Sequence, residues 1–98
     1  MTETDKTSES PWWVYILQCA DNTLYTGVTT DTKRRLHEHN HAKLGAKYTK
    51  ARRPVTLVYQ ESCTNRSNAC QRESAIKQYT RSQKIELIAK HRLSSQQQ

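Results

Sequence analysis

Residues 12–28 read WWVYILQCADNTLYTGV, two runs of aromatic and branched side chains on either side of Asp21-Asn22. Such side chains pack well on a pleated, half-buried surface, and the Asp-Asn pair marks a tight turn, so the stretch predicts a β-hairpin with strands Trp12 to Cys19 and Leu24 to Val28. Tyr15 and Tyr25 stand ten positions apart in the triplets Val14-Tyr15-Ile16 and Tyr25-Thr26-Gly27. Side chains alternate faces along a strand, so the two phenols serve one site only in a register whose cross-strand sums are even, such as Cys19 with Tyr25 and Leu17 with Gly27. A two-residue loop pairs Ala20 with Thr23 and sends the tyrosines to opposite faces. The expectation is therefore an odd loop, Asp21-Asn22-Thr23, with Asn22 in the left-handed conformation.

Working outward, Arg35 lies ten residues beyond Tyr25. Asp31, with Thr30 as the alternative, is a suitable N-cap for a helix reaching about His41, on which Arg35 and His39 are one turn apart and share a face. Residues 43–54 are basic and polar and read as a loop closed by Pro54, and Val55 to Tyr59 reads as a third strand. From about Ser67 the period becomes helical through Ala69, Glu73, Ile76 and Thr80. Thr80-Arg81-Ser82-Gln83 matches a capping box, which predicts a new helix presenting Ile85, Ile88 and Ala89 to the core. The order ββαβαα predicts an α+β fold, a small three-stranded antiparallel sheet flanked by helices. Expected boundaries are a tail over 1–11, one domain over 12–93 and a tail over 94–98, both tails polar and disordered.

The chain has 98 residues and is 34% hydrophobic, which suits one domain with a small core. Three cysteines without CxxC spacing argue for reduced thiols, and the polar N-terminus and lack of a long apolar run predict a cytoplasmic protein without a membrane span. Net charge is +7, and because residues 1–10 hold three acids and one lysine, the rest carries +9. Lys33 to Arg53 contribute eight basic residues against Glu38 alone. A field of this sign attracts polyanions, and nucleic acid is the expected partner. A solvated basic surface is the plainer reading. His37, His39 and His41 invite a zinc interpretation, but residues two apart on a helix point away from each other.

The two tyrosine triplets, the arginine ten residues on and Glu73 far downstream resemble the GIY-YIG endonuclease superfamily, in particular its small single-domain bacterial members. The likeness spans roughly Trp13 to Ile88. It implies the GIY-YIG core fold and metal-dependent hydrolysis of phosphodiester bonds, DNA favoured over RNA, with DNA repair the expected setting. Carried over by position, Tyr15, Tyr25, Arg35, His39 and Glu73 are the catalytic set, Gly27 is the motif glycine, and Glu73 holds one Mg²⁺ or Mn²⁺. Two positions depart from the pattern: Val28 stands where many relatives have lysine, and Ile85 where many have asparagine.

The residues themselves support these roles with alternatives open. A guanidinium can hold two phosphate oxygens, which suits Arg35, although a surface salt bridge is the alternative. Glu73 shares a stripe with Ala69 and Ile76, where an inward carboxylate needs a cation, either a divalent ion or Lys77 at i+4. Tyr15 is the first candidate to activate water and Tyr25 to orient it, with His39 competing as the base and strand packing as the plain role for both phenols. Gly27 allows close approach of backbone or substrate, or marks a bulge. Lys33, Arg34, Lys47, Tyr48, Lys50, Arg52 and Arg53 are the candidate nucleic-acid contacts, the lysines for phosphates and Tyr48 for an exposed base. A chain this short is expected to act as a monomer that reads nucleic-acid shape or is directed by a targeting protein. The competing function is a non-catalytic DNA- or RNA-binding module on the same scaffold.

Overall fold

A computed structural model describes residues 11–41 and 47–96. Strands β1 (Trp12–Gln18), β2 (Leu24–Thr29) and β3 (Thr56–Cys63) form an antiparallel sheet in the order β2-β1-β3. Helices α1 (Thr32–His41), α3 (Arg66–Lys77) and α4 (Arg81–Gln96) flank it. A single helical turn, α2 (Lys47–Lys50), interrupts the segment expected to be loop.

The hairpin register has even sums, with Tyr15 opposite Gly27 and Leu17 opposite Tyr25, so the two tyrosines share a sheet face. It differs from the expected pairing by two residues. The loop is Ala20-Asp21-Asn22, closed by the Cys19 N–H donating to the Thr23 carbonyl at 2.9 Å. Asp21 explains the offset: its carboxylate accepts from the Thr23 amide at 3.1 Å and the Thr23 hydroxyl at 2.6 Å, which draws Thr23 out of the loop and onto the strand side. Asn22 takes the positive φ of 69° that closes the three-residue turn.

β3 runs four residues beyond the predicted Tyr59. Its polar continuation is held by pairing with β1, where Gln60 faces Tyr15 and Glu61 faces Val14. Local composition carries no such signal. An irregularity in the pairing between Ile16 and Leu17 admits Val58 as an extra residue, so that Val58 and Tyr59 both enter one core.

Alternation divides the interior into two layers. Val14 and Ile16 face α3 and α4, packing with Ala69, Ile76 and Ile88. Tyr15, Leu17 and Cys19 face the other way, packing with Val55 and with the partly buried Leu36 of α1. The α4 capping box is reciprocal: the Gln83 amide donates to the Thr80 hydroxyl at 3.2 Å and the Thr80 amide to the Gln83 side chain at 2.8 Å. Only Ile88 of the three predicted core residues of α4 is buried. Ile85 and Ala89 are exposed and line an open groove with Leu24 and Val58, because the helix meets the sheet along a narrower stripe than its apolar residues suggested. α4 continues to Gln96, past the boundary drawn at 93, while residues 1–10 and 97–98 of the expected tails lie outside the described residues.

Candidate active site

The β1–β2 register places Tyr15 directly across from Gly27, and this decides how the phenol lies. A Cβ built on Gly27 would stand 2.5 Å from the Tyr15 hydroxyl oxygen and 2.7 Å from Cζ, so the ring occupies the space that a side chain would fill. The glycine thus serves close approach, as expected, but the group approaching is Tyr15. The observed pairing irregularity lies on the other side of β1, against β3.

α1 supplies the next two groups. Asp31 caps it, its carboxylate accepting from the Arg34 amide at 3.0 Å. One turn apart on this helix, Arg35 and His39 both reach Tyr15. The phenol oxygen lies 2.9 Å from His39 Nε2, and the Arg35 guanidinium acts on the same phenol, favouring its ionised form. Tyr25 completes a cluster of rings, with its centroid 5.2 Å from that of His39 and 6.5 Å from that of Tyr15. Arg35 is also fastened to Glu38 at 2.8 Å.

Burial sets the electrostatics. It pushes the Tyr15 phenol up to about 12, outweighing the opposing hydrogen bond and charge of Arg35. It lowers His39 to about 4, with the Arg35 charge acting in the same direction. At neutral pH the pair is therefore a protonated phenol against an uncharged imidazole. His39 has no solvent exposure, and its Nδ1 lies 2.8 Å from the hydroxyl of the equally buried Thr49 in α2.

Glu73 stands on α3, whose Ala69 and Ile76 pack into the other layer. Its negative charge nevertheless acts at the Tyr15 phenol, raising its pKa. The carboxylate is one-fifth exposed and pairs with Lys77 Nζ at 3.1 Å, the ion pair anticipated as the alternative to a metal. Among the described residues no three of His, Cys, Asp and Glu gather into a metal cage. One carboxylate completed by water and phosphate oxygens is a common way to hold Mg²⁺, so the donor set fits an ion shared with a substrate and does not fit a closed protein site.

The predicted nucleic-acid contacts divide. Lys33, Arg34 and Lys50 are exposed, Arg34 lying 3.7 Å from Glu38. Arg52 pairs with Asp21 at 3.0 Å. Arg53 donates to the carbonyls of His39 and Glu38, which terminates α1 and gives the guanidinium a structural task. The side chains of Lys47 and Tyr48 lie outside the described residues. The His37 and His41 rings lie tilted at 36° with centroids 4.6 Å apart, while His39 turns into the sheet.

Two residues escaped the sequence reading. Thr49 sits in a basic stretch without periodicity, and Asn40 follows the motif histidine without a signal of its own. Asn40 binds both backbone groups of Val55, donating to its carbonyl at 3.0 Å and accepting from its amide at 2.8 Å.

A three-stranded antiparallel sheet in a ββαβαα order, with two tyrosines, an arginine and a histidine gathered on one face, defines a nuclease-type domain. Residues 11–86 match the GIY-YIG catalytic domain, and the chain belongs to that family. It is similar to a UPF0213 protein of Desulfotalea psychrophila, 55% identical over 85% of this chain and 76% of that one. A UPF0213 protein of Syntrophus aciditrophicus is 53% identical over 78% and 87% of the two chains. Among solved structures, the solution NMR structure of a protein from E. faecalis is 40% identical with a TM-score of 0.59, covering 87% of this chain and 90% of that one. A UPF0213 protein from Bacillus halodurans is 38% identical with a TM-score of 0.52, over 81% and 83%.

Proposed function

We propose that this protein is a metal-dependent endonuclease that hydrolyses phosphodiester bonds of DNA, recognising strand structure or directed by a partner. The observation that carries the reading is the buried contact between the Tyr15 phenol oxygen and His39 Nε2 at 2.9 Å, with the Arg35 charge favouring the ionised phenol. A phenol with a pKa near 12 does not ionise by itself at neutral pH, so Tyr15 needs a proton acceptor. His39 is uncharged and in contact, and it fills that role.

As water attacks phosphorus, its oxygen forms the new P–O bond, its proton passes to the Tyr15 oxygen, and the phenol proton passes to His39 Nε2. The leaving oxygen departs with the electron pair of the broken P–O bond and takes a proton from solvent, and His39, whose pKa near 4 disfavours the charged form, gives up the proton it received. Arg35 stabilises the negative charge gathered on the phosphoryl oxygens, and Tyr25 orients the water or the phosphate. Glu73 would hold a single Mg²⁺ or Mn²⁺, which when bound polarises the phosphate and stabilises the leaving oxygen. Lys33, Arg34 and the lysines of α2 supply phosphate contacts outside the reacting centre.

The pairing of Glu73 with Lys77 favours a second reading, a binding module in which the carboxylate is structural. A panel of single-stranded, flapped and branched DNA and RNA substrates with Mg²⁺ or Mn²⁺ separates the two. Glu73→Gln keeps the side-chain shape and removes its charge, so cleavage should fall by roughly two orders of magnitude or more while nucleic-acid affinity holds. Arg35→Lys should also lose most activity, since a point charge cannot reproduce the bidentate fork. A folded Glu73→Gln protein that cuts at the parent rate removes the metal role.

A further inference from the structure

His39 has two ring nitrogens, and the proposed proton transfer works with one arrangement of its proton. Nε2 must be a bare acceptor facing Tyr15, so the ring proton must reside on Nδ1. The contact at the phenol agrees with this arrangement. The Tyr15 hydroxyl lies 2.9 Å from His39 Nε2 and can direct its proton at that nitrogen. Nδ1 then carries hydrogen and needs an acceptor inside a fully enclosed space. Thr49 provides one: its Oγ1 lies 2.8 Å from Nδ1, and neither residue has solvent exposure. The alternative tautomer, with hydrogen on Nε2, would make the phenol oxygen the acceptor and leave no base facing the Tyr15 proton on His39.

We propose that Thr49 is a positioning residue that fixes the Nδ1–H tautomer of His39, so that Nε2 stands ready to take the Tyr15 proton. The inference rests on the reading of Tyr15 and His39 as a proton relay, but its central claim concerns a proton position that can be observed without any substrate. Thr49 occupies the second position along the line Tyr15–His39–Thr49, comparable to the acceptors that orient ligating and catalytic histidines elsewhere. The single turn of α2 exists in a position to deliver it: the Arg52 amide donates to the Thr49 carbonyl at 2.9 Å, which anchors the backbone on which the hydroxyl is carried.

The test is long-range ¹H–¹⁵N NMR of the full chain at neutral pH, which distinguishes the two imidazole tautomers by their nitrogen shifts. The unmodified protein should show His39 as Nδ1–H. Thr49→Val is close in shape but offers no acceptor, and it should shift His39 toward the Nε2–H form or a mixture. Thr49→Ser restores the hydroxyl and should restore the Nδ1–H signature. Cleavage by Thr49→Val should fall about 10- to 100-fold, and Thr49→Ser should stay within a few fold of the parent. An Nε2–H His39 in the unmodified protein overturns the proposal, whether or not the variants fold, and so does a folded Thr49→Val protein that keeps Nδ1–H. If the tautomer responds as expected but no nucleic acid is cut, the endonuclease reading fails and the positioning role of Thr49 stands.

Discussion

Gly27 shows how one missing side chain arranges a site. Its value lies in the space it leaves for the Tyr15 ring, since a methyl group there would fall 2.5 Å from the phenol oxygen, well inside any real contact. Gly27→Ala should therefore displace the phenol from His39 and Arg35 and destabilise the protein by about 1–3 kcal/mol through overpacking. Urea unfolding measures the stability change, and the His39 nitrogen shifts report the lost contact. A variant with parent stability and unchanged His39 signals would show that Tyr15 does not depend on the glycine. The same residue illustrates the limit of local reading: a glycine on a strand signals close approach, yet only the register shows that Tyr15 is what approaches.

At the scale of elements, α1 depends on neighbours that are distant in sequence. Asp31 caps its start, Arg53 takes up carbonyls at its end, and Asn40 ties that end to the first residues leading into β3. Asn40→Ala would strip both partly buried backbone groups of Val55 of their side-chain partner and should cost about 1–3 kcal/mol. Because Asn40 follows His39 directly, the loss should also loosen the His39–Thr49 contact, which amide hydrogen exchange along α1 and α2 would reveal. Unchanged stability and exchange would mean that the other contacts of α1, among them Arg53 and Leu36, place the helix without Asn40. The elements themselves were legible where local signals were strong, as in the hairpin tyrosines, the cap at Asp31 and the reciprocal box of Thr80 and Gln83. They were not legible in the second half of β3, where Gln60 and Glu61 are strand residues because β1 offers them backbone partners.

Across the whole molecule, buried His39 couples folding to pH. Its pKa is near 4 in the fold against 6.5 for a free imidazole. Between these values the unfolded chain binds a proton that the folded chain refuses, so the stability His39 contributes is complete above about pH 6.5 and is lost as pH falls toward 4. Asp21 and Glu38, held below their ordinary values by hydrogen bonds from Thr23 and Arg35 respectively, act lower on the pH scale. The urea midpoint should drop between pH 7 and pH 5, and His39→Gln should flatten that drop. An equal drop in the variant would place the acid sensitivity elsewhere. The net charge of +7 makes a second whole-molecule expectation: nucleic-acid affinity should fall steeply with salt, and replacing Lys47 and Lys50 with alanine should weaken binding to every sequence and reduce the salt slope by up to about two. Binding that ignores salt would exclude a phosphate-dominated interface.

What the amino-acid order determined by itself are features acting within a few residues: alternation that puts Tyr15 and Tyr25 on one face for any odd loop, helical spacing that aligns Arg35 with His39, and the caps. These follow from steric and hydrogen-bonding rules that need no tertiary partner. Only the folded structure decided the hairpin offset, the pairing of Glu73 with Lys77 and the meeting of Thr49 with His39. Turn hydrogen bonds from Asp21 set the first, and the position of Glu73 one turn before Lys77 on α3 set the second. The third required α2 to fold back against α1, and a single threonine in a basic stretch carries no local trace of a contact that burial alone makes strong.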